Sequence, residues 1–103
     1  MIANIKTQTI EAGLTVAEFL NETNWTQGTY ARDPLDKKVD VFAFSACKFC
    51  LLGAINRIYR DHEERRQVKA KVKAELSGFR RISEFNDKAT WFQVQRIIQL
   101  AGI

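Results

Sequence analysis

Residues 45–60 read Ser-Ala-Cys-Lys-Phe-Cys-Leu-Leu-Gly-Ala-Ile-Asn-Arg-Ile-Tyr-Arg, and the fold turns on how they are read. Cys47, Cys50, Leu51, Ala54, Ile55 and Ile58 recur at the three- and four-residue steps of one helical face, so the spacing predicts a helix over 45–60 with a buried stripe. Phe49, Leu52 and Tyr59 widen the apolar surface and make this the central helix. Just before it, Val39, Val41, Phe42 and Phe44 favour extended backbone, and a short strand over 39–44 is an open alternative.

Outward from this segment, start and stop signals mark three more helices. Thr15 with Glu18 forms a capping box, with Leu14 and Phe19 at the staple positions, for a first helix over 15–22 that can bury Val16, Phe19 and Leu20. Residues 23–40 contain Gly28, Pro34 and an Asp-Pro turn signal and form the longest loop. On the other side, Asp61 with Glu64 opens a third helix over 62–77. Its core line is Val68, Val72, Leu76 and Phe79, and Gly78 is placed for a left-handed end. Residues 82–90 read as a second polar connector. Thr90 with Gln93 then caps a last helix whose buried line is Trp91, Val94, Ile97, Ile98 and Ala101 and which stops at Gly102. Residues 2–10 fit a short strand or a frayed lead-in equally. The expectation is an all-α single domain over 1–103, a compact four-helix bundle or orthogonal helical array with one long loop.

The chain of 103 residues suits one modest core. It has no apolar run of the roughly eighteen residues that a membrane span needs, and residues 1–11 lack the pattern of a secretory signal. Its two cysteines are too few and too close for a disulfide-stapled scaffold. Together these features point to the cytoplasm. The net charge of +4 is unevenly placed. Residues 57–81 hold nine basic against four acidic residues, whereas the rest of the chain holds seven against eight. At 100° per residue Arg65, Arg66, Lys69 and Lys73 share one flank of the third helix, and Glu64 and Glu75 take the other.

Three constellations could carry chemistry. Cys47-Lys48-Phe49-Cys50 at a helix start would let the helix N-terminus stabilise a thiolate. The sequence supplies no proline after the motif to face it as in thioredoxin-like folds, and two small core cysteines are the plainer reading. Zinc is weaker still, because Cys47, Cys50 and His62 supply three of the four ligands a structural site wants. No metal or cofactor is expected. The ridge Arg65, Arg66, Lys69 and Lys73, extended by Arg57, Arg60, Arg80 and Arg81, could meet phosphates or an acidic protein surface, although charges beside an apolar stripe are ordinarily just solvated.

The motifs Trp25-Thr26-Gln27-Gly28, Cys50-Leu51-Leu52-Gly53-Ala54 and Phe85-Asn86-Asp87 resemble an uncharacterised domain family of small bacterial and phage proteins, over roughly residues 14–101. Cys50 matches the family pattern and Cys47 does not. The resemblance implies an accessory role in a phage or other mobile element and brings no activity with it. Read physically, Gly53 and Ala54 would let another element approach closely, since glycine costs about 1 kcal/mol relative to alanine inside a helix. Trp25, Gln27, Cys50, Asn86 and Asp87 could line one small polar pocket, or could be loop-bracing hydrogen bonds around a tryptophan.

The functional expectation is a small non-enzymatic interaction protein that binds a macromolecular partner through the basic flank and the 25–36 loop. Sequence-independent nucleic-acid binding by the same ridge and thiol redox chemistry at Cys47 and Cys50 are the alternatives. Oligomeric state and the identity of the partner are not encoded in any motif.

Overall fold

The computed structural model describes residues 13–103. The strand or lead-in expected over 2–10 lies outside the described residues. Among those described, the chain is mostly helical, with five helices and a small two-stranded sheet. No helix among them is long and apolar enough to cross a membrane.

α1, Val16–Phe19, is a single turn. Its capping box is formed: the Glu18 N–H donates to Thr15 Oγ1 at 3.2 Å and the Thr15 N–H to Glu18 Oε1 at 2.9 Å. The expected run to residue 22 stops early because two asparagines take over the backbone. Asn21 Oδ1 accepts from the Thr23 and Asn24 N–H groups, and Asn24 Nδ2 donates to the Phe19 carbonyl at 3.0 Å.

The central helix also starts later than its apolar rhythm predicts. Residues 45–50 are not helical. Lys48–Phe49 form β2, paired antiparallel with β1, Ala31–Arg32, in the register Ala31 to Phe49 and Arg32 to Lys48. Their backbone groups find partners in the long loop: the Cys47 N–H donates to the Arg32 carbonyl, the Phe49 N–H to Asn24, and the Cys50 N–H to Tyr30. The strand considered for 39–44 is absent; residues 41–42 and 44–45 are turns, and the extended segment is the one that follows. Cys50 is therefore a cap and not a member of the helical stripe. α2, Leu51–Ile58, begins after it, and the Cys50 thiol accepts from the Gly53 N–H at 3.2 Å.

α2 packs against α1 and against α3, His62–Glu75, whose N-cap Asp61 accepts from the Glu64 N–H at 2.9 Å. α3 buries only Val68 and Val72, with Leu76 and Phe79 half-buried beyond its end. The predicted connector over 82–90 is itself largely a helix, α4, Ile82–Lys88, which corrects the four-helix expectation to five among the described residues. Ser83, Asn86 and Asp87 favour turns in isolation. Here Ile82, Phe85 and Asn86, at three- and four-residue steps, are all buried against the body of the protein and hold the two turns in place. α5, Trp91–Ala101, has the expected Thr90–Gln93 capping box and ends at Gly102 in the left-handed conformation, φ 68°.

Val16, Leu51, Ile55, Val72 and Val94, contributed by four different helices, are completely buried and form the centre of the core. Each such side chain stabilises the fold by about 1.5–3 kcal/mol relative to exposure. At Gly53, on the face of α2 toward the loop, an added Cβ would lie 2.1 Å from the Tyr30 carbonyl oxygen. The expected close approach is that of this backbone, seated against the bare glycine.

Candidate functional site

Asn86 is the one buried polar side chain among the described residues. The first turn of α4 is anchored by Ile82, which turns Asn86 inward beside Phe85. Its Oδ1 accepts from the Trp25 indole N–H at 2.7 Å and from the Leu51 N–H at 3.0 Å, one of the amides at the start of α2 that lack a helical partner. Its Nδ2 donates to the Thr26 carbonyl at 3.0 Å and, at 3.4 Å, to Asp87 Oδ1. Gln27 Nε2 donates to the carbonyls of Asn86 and Ala89, both at 2.9 Å, and so satisfies acceptors at the end of α4. The Gly28 N–H donates to Asp87 Oδ1 at 2.8 Å. Trp25 packs its ring on Trp91 with centroids 5.9 Å apart.

These contacts bring Trp25, Gln27, Asn86 and Asp87 into one network. Cys50 is held separately at the head of α2 and shares with Asp87 a hollow of about 280 Å³, also lined by Gly28, Thr29, Tyr30 and Ser83. Burial pushes the Cys50 thiol above its ordinary value, and the Asp87 charge adds to the effect against the opposing amide hydrogen bonds. A buried neutral thiol is a poor nucleophile. Asp87 Oδ1 is already engaged by Gly28 and Asn86, so the polar atoms at this end of the fold chiefly tie the loop to the helices.

The two cysteines are free thiols in different settings. Cys50 is buried, whereas Cys47 is exposed ahead of β2, which corrects the reading of both as core residues. In C-x-x-C chemistry the first cysteine takes the helix N-terminus; here the second one does. Among the described residues no three His, Cys, Asp or Glu side chains are grouped so as to hold a metal ion.

The basic flank is displayed along α3. Arg65, Lys69 and Lys73 follow one another at four-residue steps, and none has a carboxylate partner among the described residues. Arg65 Nη1 instead donates to the Tyr59 carbonyl at 3.3 Å and, more weakly, to the Arg60 carbonyl at 3.5 Å. Arg66 differs from its neighbours, being paired with Glu63 at 2.6 Å. Partial burial lowers the pKa of Lys69, and the charges of Arg65 and Lys73 lower it further.

A model of a family of unknown function matches residues 7–101, nearly the whole chain. The chain belongs to that family, DUF6197. No curated protein and no solved structure matches it. Within this DUF6197 chain, the residues that the candidate pocket left out include Thr26, whose carbonyl completes the Asn86 network, and Gly28, Thr29, Tyr30 and Ser83, which line the hollow. A turn-prone segment hid Ser83, and a backbone carbonyl leaves no trace in a motif.

Proposed function

We propose that this protein is a non-enzymatic interaction protein that binds an anionic macromolecular partner through the basic flank of α3. One observation carries this reading: Arg65, Lys69 and Lys73 stand in a line with no carboxylate to neutralise them among the described residues, close enough for Arg65 and Lys73 to disfavour the charge on Lys69. Like charges four residues apart destabilise a helix by a few tenths of a kcal/mol per pair, by about the 0.2–0.5 kcal/mol that opposite pairs contribute. An anion bound along the flank would remove that cost. Thiol redox chemistry has less support, because Cys50 is buried with its thiol held neutral and Cys47 stands outside the helix start.

The test is retention on immobilised heparin, a generic polyanion, for wild type, the triple variant Arg65→Glu/Lys69→Glu/Lys73→Glu, and a control pair Lys37→Glu/Lys38→Glu. The reading expects the triple variant alone to lose retention while keeping its helical circular dichroism. Equal losses in the triple variant and the control would reduce the flank to a share of the net charge and sink the proposal.

A further inference from the structure

Beside the basic flank lies a feature that the proposed function does not use. Residues 40–46 form a turn in which Asp40 Oδ1 accepts from the Phe42 N–H at 2.8 Å and the Asp40 carbonyl from the Ala43 N–H. The turn presents two aromatic rings to solvent: Phe42 is 52 % exposed and Phe44 fully exposed at 106 %. A lone exposed apolar side chain is ordinary, but two rings on one turn with a charged rim are the arrangement that marks an interaction site. Their setting is basic. The Arg60 guanidinium lies over the Phe42 ring, 5.1 Å from its centroid, and Arg57 Nη1 donates to the Val41 carbonyl at 2.7 Å. Arg60 in turn meets Arg65, whose Nη1 reaches the Arg60 carbonyl, and Arg65 leads to Lys69 and Lys73. A cationic track therefore runs from the α3 flank to an aromatic tip.

Cations that follow a backbone and end on open ring faces are the elements by which proteins hold single-stranded nucleic acid without reading its sequence. A duplex has its base faces stacked and offers nothing to Phe44. An anionic membrane would be met by exposed apolar groups spread among the cations, yet none of the large exposed apolar side chains among the described residues lies on α3. We infer that the partner of the basic flank is single-stranded nucleic acid, with Arg60, Arg65, Lys69 and Lys73 along its phosphates and Phe42 and Phe44 stacking on its bases. The inference rests on the flank being the binding surface.

Fluorescence anisotropy with a labelled oligothymidylate and with a duplex of the same length tests it. Four phosphate contacts to a single strand predict that affinity falls about fiftyfold between about 50 and about 200 mM salt. Phe44→Ala is expected to weaken single-strand binding by about five- to a hundredfold, the loss of one stacked base, and to leave duplex binding unchanged. Because that ring touches solvent only, thermal unfolding should be the same as in wild type. Single-strand affinity unchanged in both Phe44→Ala and Phe42→Ala would overturn the stacking role and with it the inference. Binding to phosphatidylserine vesicles with none to either nucleic acid would overturn the inference and leave the flank's role standing. If instead Lys69→Glu/Lys73→Glu left single-strand binding intact, the flank itself would be the failed premise.

Discussion

Replacing Asn86 by alanine tests the network directly. The side chain is completely buried, and its removal strands three groups at once: the Leu51 N–H, the Trp25 indole N–H and the Thr26 carbonyl. A buried polar group left without its partner costs about 1–3 kcal/mol. The Leu51 amide is fully enclosed, whereas Trp25 and Thr26 are half-buried, so that water can reach part of them and their costs fall at the lower end. The sum is about 3–5 kcal/mol, a large part of the roughly 5–15 kcal/mol that holds a domain of this size together. Melting should fall by at least about 12 °C. Urea unfolding followed by circular dichroism and tryptophan fluorescence measures the loss, and Asn86→Asp refines it by keeping the acceptor and giving up the donor to Thr26. A loss under about 1 kcal/mol for Asn86→Ala, at unchanged denaturant slope, would show that the three groups find other partners and would refute the reasoning.

Other expectations follow from single contacts. Gly53→Ala gains helix propensity but drives a methyl group into the Tyr30 carbonyl, and should destabilise the protein by about 1–3 kcal/mol; a more stable variant in chemical denaturation would disprove the close approach. Ellman's reagent should titrate Cys47 at once in the native protein and Cys50 only on unfolding, so two fast thiols would contradict the burial of Cys50. Burial raises the Cys50 and Tyr59 pKa values from ordinary values of 9.0 and 10.0, so their neutral forms are favoured by the fold. Stability should hold below pH 9.0 and fall as pH rises from there through the raised folded values, with Cys50→Ser lessening the first part of the fall. Lys69 acts with the opposite sign: its lowered pKa means that losing its proton on the way up to 10.5 relieves strain and offsets part of the decline.

What the sequence disclosed was mostly local. The Thr15–Glu18 and Thr90–Gln93 capping boxes involve residues three apart, and their chemistry is complete within four residues. Cys47 and Cys50 show the limit of periodicity, since residues before a helix can keep its rhythm while one lies ahead of a strand and the other in a cap. β2 owes its form to the Tyr30 and Arg32 carbonyls across a loop, which no window around residue 48 contains. α4 was hidden because Ser83, Asn86 and Asp87 prefer turns until Ile82 and Phe85 find a core to enter. For the site, the spaced motifs named Trp25, Gln27, Asn86 and Asp87, but their meeting depends on contacts between residues 59 to 62 positions apart. Phe42 and Phe44 suggested a strand by their composition, and only the turn set by Asp40 shows them facing solvent.

Those long separations bear on the order in which the protein acquires its shape. The α2–α3 pair is close in sequence and is expected to form early, whereas the loop at 24–28 meets α4 across some sixty residues and α1 meets the end of α5 across still more, and loop-closure entropy is expected to delay both. Contacts made after the folding barrier scarcely change the rate of folding and chiefly set the rate of unfolding. The asparagine network is thus expected to act as a latch that governs how long the native state lasts more than how quickly it is reached, so that Asn86→Ala should speed unfolding more than it slows folding.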